Sequence, residues 1–211
     1  MNVLDLYSGL KGWAQPFADR GHKTFTIDIN PVFDADLHAD MRKVEPSDIP
    51  FKPDIILASP PCQAFTVAQI GRNWHGSHGT PLTPKTPLAL LGQELVIRTF
   101  YLIHELKPKF WVIENPRAAL RKMIYMTELE RRTVTYCQYG EHRMKPTDLW
   151  GGFPPSLELK PPCSNGASCH VRAPRGSTTG TQGMKADLAA KIPYPLALDV
   201  CLATERDLDD N

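Results

Sequence analysis

Four times along this chain a short run of β-prone residues stops at a turn bearing a glycine, a proline or an acid, and that recurrence constrains the fold more than any other feature. Val3 to Tyr7 gives way to Ser8-Gly9, and Thr24 to Ile29 carries Asp28 near its end. Asp54 to Ala58 runs into Ser59-Pro60-Pro61, where two missing amide donors stop a strand, and Phe110 to Ile113 ends on Glu114. Helical stretches alternate with these runs. Gly12 to Arg20 is closed by Gly21, and Leu88 to Leu106 repeats positions 88, 91, 95, 99, 102 and 106 at helical spacing until Pro108 ends it. Strand, turn, helix and strand in this order predict an open, mostly parallel α/β sheet, whose ligands lie beyond the carboxyl ends of the strands.

The remaining segments are less regular. A short helical turn is expected within 30–53, a long mobile loop over Phe65 to Pro87, a helix over Ala118 to Glu130 and an extended run over Thr133 to Tyr139. Gly151 to Gly183 is rich in Gly, Pro, Ser and Thr, and Lys185 to Thr204 returns to helical character. These shifts divide the chain into a catalytic and cofactor-binding unit over 1–148, a small irregular lobe over 149–184 and a C-terminal helix over 185–211 that returns to the first unit.

With 211 residues, 42% of them hydrophobic, the chain can bury one sizeable core. The acid at Asp5 argues against a secretory signal, and Gln93, Glu94, Arg98, His104 and Glu105 interrupt the longest apolar stretch, so no membrane span is expected. An odd count of five cysteines points to a reducing, cytoplasmic setting with free thiols or a metal. The formal net charge of +1 lacks the overall basic signature of many nucleic-acid binders. Positive groups nevertheless gather in one half of the chain: Arg117, Arg121, Lys122, Arg131, Arg132, Arg143, Lys145, Arg172 and Arg175. They form either a phosphate-facing surface or ordinary solvated charge.

Asp5, Asp28, Cys62 and Glu114 all fall near strand ends. The glycines of the segment from Asp5 to Gly12 let backbone approach a ligand, although a plain tight turn needs them equally. Asp28 is placed to accept ribose hydroxyls, and Asp40 either completes the pocket or is an exposed acid. Cys62 follows two prolines and precedes Gln63 and a loop, which suits a nucleophile better than a packed core thiol. Glu114, followed by Asn115 and Pro116, has little packing reason to end an apolar strand and suits proton donation. A thiolate and a carboxylic acid together fit addition to carbon 6 of a pyrimidine, with the acid serving ring nitrogen 3. A stacked base cannot be reached this way, so DNA would be flipped out or single-stranded.

Three segments in order, Asp5-Leu-Tyr-Ser-Gly-Leu-Lys-Gly-Trp13, Ser59-Pro-Pro-Cys-Gln-Ala-Phe65 and Val112-Ile-Glu-Asn-Pro116, make the chain resemble the cytosine carbon-5 DNA methyltransferases over its first two thirds. The resemblance implies a Rossmann-like fold and S-adenosyl-L-methionine as methyl donor. It implies cofactor contacts from Asp5, Tyr7, Ser8, Gly9, Gly12, Trp13, Asp28, Ile29, Asp40, Met41 and Pro60. Cys62 becomes the nucleophile, Glu114 the partner of the target cytosine, Gln63 and Asn115 substrate contacts, and the loop after Phe65 the element closing over the flipped base. Tyr139 to Lys145 resembles a degenerate later segment, with Arg143 in place of the family's glutamine, Lys145 in place of its first arginine and Thr147 in place of its second. Arg143 and Lys145 are thus further substrate contacts, and Lys145, counted with Cys62 and Glu114 as catalytic, serves as a point charge rather than a fork.

Only a short stretch follows where sequence-reading members carry a recognition domain, so target preference is expected to be short or supplied by a partner. Cys163, Cys169 and His170, with Cys137 or His142 as a fourth ligand, form either a structural zinc site or free thiols in a surface lobe, and the adjacency of Cys169 and His170 is awkward for a closed tetrahedron. The usual glycine-asparagine pair near the end is absent, and Lys191 to Pro195 stands in its place before a helix packing near the cofactor. The resemblance sets the chain in a prokaryotic or phage modification system. RNA as substrate, methylation of an exocyclic amino group and a non-enzymatic DNA-binding relative are the alternative readings.

Overall fold

The computed structural model describes residues 1–76, 80–164, 166–171, 188 and 190–209. Arg172, Arg175, the lobe's remaining residues to 184 and residues 185–187 lie outside the described residues.

The apolar runs become the sheet. Strands β1 (Asn2–Leu6), β2 (Lys23–Asp28), β3 (Leu37–His38), β4 (Ile55–Ala58) and β7 (Phe110–Pro116) are parallel, and β8 (Arg131–Thr135) and β9 (Pro146–Gly152) complete a seven-stranded sheet in the order β3-β2-β1-β4-β7-β9-β8. Strand β9 runs antiparallel to both its neighbours. A separate hairpin pairs β5 (Trp74–His75) with β6 (Thr83–Pro84).

Covering both faces of the sheet explains why the central strand β4, Ile55-Ile56-Leu57-Ala58, is apolar throughout rather than alternating. Val3, Ile55 and Leu57 face helix α1 (Ala14–Asp19) and the C-terminal helix α5 (Tyr194–Asp209), packing with Phe17, Leu196 and Val200. Leu4, Leu6 and Ile56 face α3 (Pro87–Leu106), packing with Leu95 and Leu102. Burying each such leucine contributes about 2 kcal/mol. Helix α3 starts where Thr86 Oγ1 accepts from the Ala89 amide at 3.2 Å with Pro87 as first helical residue, and it stops at Lys107, whose φ of 48° precedes Pro108. Its buried face is Ala89, Gly92, Leu95, Val96, Thr99 and Leu102. Leu88 is exposed, and with Leu91 it borders the cavity described below rather than the core. Among the described residues, no helix is long and apolar enough to cross a membrane.

Several expectations are corrected. Glu114 lies inside β7, paired with Leu149, because β9 carries the sheet past the expected strand end. The stretch Ala118 to Glu130 is no single helix: a 3-10 turn (Ala119–Lys122) and the short α4 (Ile124–Thr127) are separated by Met123, which is extended, while the Ala119 amide is bound to the Phe65 carbonyl. The extended run ends at Thr135, and Tyr136–Tyr139 turns as a 3-10 helix. The loop after Phe65 holds a 3-10 turn, the short α2 (Ile70–Asn73) and the hairpin. Phe65 stacks on Trp74 at 5.4 Å, and Trp74 Nε1 donates to the Ala64 carbonyl at 2.7 Å, so its described part is packed against the body. The expected boundary at 148 falls within β9.

Candidate active site

The turn after β1 is built around one carboxylate. Tyr7, Gly9 and Lys11 all have positive φ (61°, 50° and 54°), which costs the two non-glycine residues about 1–3 kcal/mol each. This backbone aims the Gly9 amide at Asp28 Oδ2 (2.9 Å), while the Asn30 amide reaches Oδ1 (2.8 Å). Asp28 is thereby fixed at the end of β2 with acceptor capacity left on both oxygens. The Tyr7 hydroxyl donates to the Leu95 carbonyl at 2.8 Å, tying the turn to α3.

Asp5 lies beneath the turn, 1% exposed. Its Oδ2 accepts from the Ala14 amide at 3.2 Å, Oδ1 has no partner, and burial pushes its pKa up to about 8. The Ser8 hydroxyl is likewise buried and unpartnered. Gly12 faces the chain's own C-terminal segment, for a Cβ there would stand 2.8 Å from the Ile192 nitrogen. Lys191 to Pro195 therefore does return to the first turn.

A cavity of about 460 Å³ opens beyond β1, β2 and β4. Its walls are Tyr7, Asp28, Ile29, Asp40, Met41, Arg42, Pro61, Gln63, Ala64, Leu88, Leu91, Gly92 and Leu95. Asp40 accepts from Arg42 Nε at 3.0 Å, and this pair holds its carboxyl below the usual range. A fixed acid, a second acid and an apolar wall from Ile29, Met41, Leu88, Leu91 and Leu95 fit a nucleoside-bearing cofactor such as S-adenosyl-L-methionine. Of the expected cofactor residues, Asp5, Ser8, Gly9, Gly12, Trp13 and Pro60 are not among these walls: the first four lie in or beneath the turn described above. Trp13 is a core residue whose Nε1 donates to Ser59 Oγ at 3.0 Å, and Pro60 is buried behind Pro61, which takes its place in the wall. Gln63, expected at the substrate, borders this cavity as well.

Beside the cavity stands the thiol. Cys62 is partly buried in the turn after β4, where its carbonyl accepts from the Phe65 amide at 2.9 Å. Burial pushes its pKa up, Glu114 pushes it further, and Lys145 opposes them. Glu114 is 4% exposed on β7, and two groups hold its Oε1: the Tyr136 hydroxyl donates at 2.8 Å, and Lys145 Nζ stands 3.6 Å away while lying 4.4 Å from the Tyr136 ring centre. Both contacts leave Oε2 for an incoming group.

Nothing in the sequence around Tyr136 marks it until the fold sets it opposite Glu114. Asn115, expected at the substrate, is instead wholly buried, and its amide donates to the Pro60 carbonyl at 2.8 Å, pinning the turn that carries Cys62. Arg143, also expected at the substrate, is buried with its guanidinium 3.7 Å from Glu141, and its Nε has no partner.

The positive groups divide. Arg121 donates through Nε to buried Asp148 at 2.8 Å, and Arg132 donates to Glu130 and the Leu157 carbonyl, so both are structural. Arg117, Lys122 and Arg131 remain exposed. The expected metal set gathers around Cys137 rather than His142, whose carbonyl accepts from the Val171 amide at 2.8 Å.

Five parallel strands continued by an antiparallel pair, with a cavity beyond the strand ends, define a Rossmann-like α/β fold. The sequence model of the C-5 cytosine-specific DNA methylases matches residues 1–125, and the chain belongs to that family. A relative from Frog virus 3 (isolate Goorha), named "Probable DNA (cytosine-5)-methyltransferase", is 29% identical over 219 residues, covering 95% of this chain and 100% of the relative. Among solved structures, the Entamoeba histolytica methyltransferase EhMeth superposes with a TM-score of 0.55 at 16% identity, over 77% of this chain and 56% of that one. The S. pombe Dnmt2 methyltransferase gives 0.50 at 16% identity, over 72% and 48%. The chain thus spans about half the length of these two structures, and the likeness is one of fold.

Proposed function

We propose that the protein transfers a methyl group from S-adenosyl-L-methionine to carbon 5 of a cytosine in DNA, through an adduct between Cys62 and carbon 6. The observation that carries this reading is the placement of Cys62 beside Glu114, with Glu114 itself held on one oxygen by Tyr136 and Lys145.

The chemistry follows from those residues. Cys62 gives its proton to solvent and its sulfur bonds to carbon 6, sending the ring's electron pair toward nitrogen 3, where Glu114 Oε2 supplies a proton or hydrogen bond. Carbon 5, now electron-rich, would take the methyl group that the bound donor supplies as an electrophile, the sulfonium sulfur–methyl bond breaking to leave the neutral thioether. Loss of the carbon 5 proton to a base, with expulsion of the Cys62 thiolate, restores the ring. Lys145 favours the thiolate by its charge, and Tyr136 orients Glu114. Asp28 would accept the ribose hydroxyls, while Asp40 and the apolar wall would take the adenine. Arg117 and Lys122, exposed on the segment after β7, suit phosphate contact.

The test is methyl transfer from labelled S-adenosyl-L-methionine to equal pools of DNA and RNA, followed by digestion to nucleosides. Label in 5-methyldeoxycytidine is the expected result. Label confined to RNA, or to an amino-methylated base, would overturn the assignment.

A further inference from the structure

Three sulfurs and one imidazole converge where the small lobe meets the end of β8. Cys137 Sγ lies 3.1 Å from Cys163 Sγ and 3.6 Å from Cys169 Sγ, and His170 Nδ1 lies 3.7 Å from Cys163 Sγ and 3.6 Å from Cys169 Sγ. All four donor atoms fall within 4.8 Å of one another. With zinc–sulfur bonds of about 2.3 Å and a zinc–nitrogen bond of about 2.05 Å, a regular tetrahedron puts sulfurs about 3.8 Å apart and sulfur about 3.6 Å from nitrogen. Three of the four distances match that figure, and the fourth is far beyond the roughly 2.05 Å of a disulfide. All four donors lie close enough to share one centre although Cys169 and His170 are adjacent in sequence.

The surroundings also fit a thiolate-bound cation. Gln138 Nε2 donates toward Cys169 Sγ at 3.5 Å, and the Cys163 amide is fixed on Thr135 Oγ1 at 2.9 Å. Donors of this kind orient ligand sulfurs and offset their charge. Among the described residues, the other grouping of potential ligands, His22, Cys201 and Glu205, is already satisfied, since Arg20 and His22 both bind Glu205.

We propose that Cys137, Cys163, Cys169 and His170 bind a zinc ion, and that this ion holds the segment from Tyr136 to Lys145 in place against Glu114. Binding displaces the three thiol protons to solvent and closes the chain from 137 to 170. The consequence for the site follows from position. Cys137 immediately follows Tyr136, the hydrogen-bond donor to Glu114, and the Val171 amide, next to His170, grips the His142 carbonyl between Glu141 and Arg143. The start of the segment and His142, three residues before Lys145, are therefore tied to the metal's ligands. The metal site stands on its own geometry, whereas its effect on catalysis rests on the proposed function above.

The test measures metal content and methyl transfer on the full chain purified from zinc-supplemented cells. About one zinc per chain is expected, with cobalt substitution giving the thiolate-to-cobalt charge-transfer and tetrahedral d–d bands of a Cys3His site. Cys163→Ser and Cys169→Ser should lose the metal, His170→Cys should keep it, and His142→Ala should leave it unchanged. Metal removal should lower methyl transfer about 10²-fold, a loss reversed by adding zinc back, while S-adenosyl-L-methionine binding persists. Wild-type protein without metal, or with Cys137 and Cys163 joined as a disulfide, would overturn the site. Zinc present but removable without loss of methyl transfer would overturn the positioning role alone.

Discussion

Replacing Glu114 with glutamine should move two rates in opposite directions. The Glu114 carboxylate is the second cause, after burial, of the raised Cys62 pKa, and Lys145 is the group that opposes it. Lys145 Nζ is 3.6 Å from Glu114 Oε1, a separation at which two unit charges attract by about 4–5 kcal/mol at an effective dielectric of about 20, before desolvation and screening reduce it. Glutamine removes the repulsion and releases Lys145 from its partner, and both changes lower the thiol pKa. Each pKa unit removed raises the thiolate fraction about tenfold below the pKa, and the weaker nucleophilicity of the less basic thiolate takes back about threefold. Alkylation of Cys62 by iodoacetamide, read by site-resolved peptide mass spectrometry on the free protein near neutral pH, should therefore speed up about threefold per unit. Methyl transfer in a single turnover should slow by about 10²–10⁴, since the amide cannot donate the proton that nitrogen 3 needs. Alkylation that slows or stays unchanged would show that the carboxylate does not act on the thiol, and an unchanged single-turnover rate would refute its catalytic role.

Tyr136→Phe removes one hydrogen bond to a buried carboxylate and should slow methyl transfer by about 10–100-fold with little change in S-adenosyl-L-methionine affinity, as single-turnover rates and calorimetry would show. Asn115→Ala strips the Pro60 carbonyl of the Asn115 amide donor in a buried site, so the denaturant midpoint should fall by the equivalent of about 1–3 kcal/mol and turnover should fall with it. Asp5 keeps its proton up to about pH 8 in the folded chain, against 3.8 as its ordinary value. The folded state then binds more protons than the unfolded one between these values. The contribution of Asp5 to stability is thus greatest at low pH and declines as pH rises, by up to about 1.4 kcal/mol per unit. Asp5→Asn should flatten that decline in thermal melts between about pH 5 and 8, and an equally steep decline in the variant would contradict it.

How much of this was legible in the sequence depended on whether local chemistry or distant pairing set each element. Strands β1, β2 and β4 and helix α3 announce themselves by continuous apolar runs and by Pro60, Thr86, Pro87 and Pro108. Strand β9 does not, because it begins at Pro146, ends at Gly151-Gly152 and buries Thr147 and Asp148, and that acid is tolerated only because Arg121 and Thr133 reach it from β8 and the turn after β7. The same pairing moved Glu114 from a strand tip to a strand interior. In the site, Cys62, Glu114 and Asp28 could be picked out as reactive types at strand ends. Tyr136 could not, since its value lies in facing Glu114 across the sheet. Asn115 and Arg143 share motifs with functional neighbours, yet the fold turns both inward. Cys137 was one of two choices for the fourth member of its cluster, and only the turn after β8 separates it from His142.

The central claim is a covalent bond between Cys62 and carbon 6 of a cytosine in DNA. The most direct measurement is trapping with DNA carrying 5-fluorocytosine in the presence of S-adenosyl-L-methionine, resolved by denaturing electrophoresis and peptide mass spectrometry, because fluorine at carbon 5 blocks release of the enzyme. The account predicts a denaturation-resistant complex through Cys62 that Cys62→Ala cannot form although it still binds S-adenosyl-L-methionine. Methyl transfer to DNA without any adduct, or an adduct that survives Cys62→Ala, would contradict it.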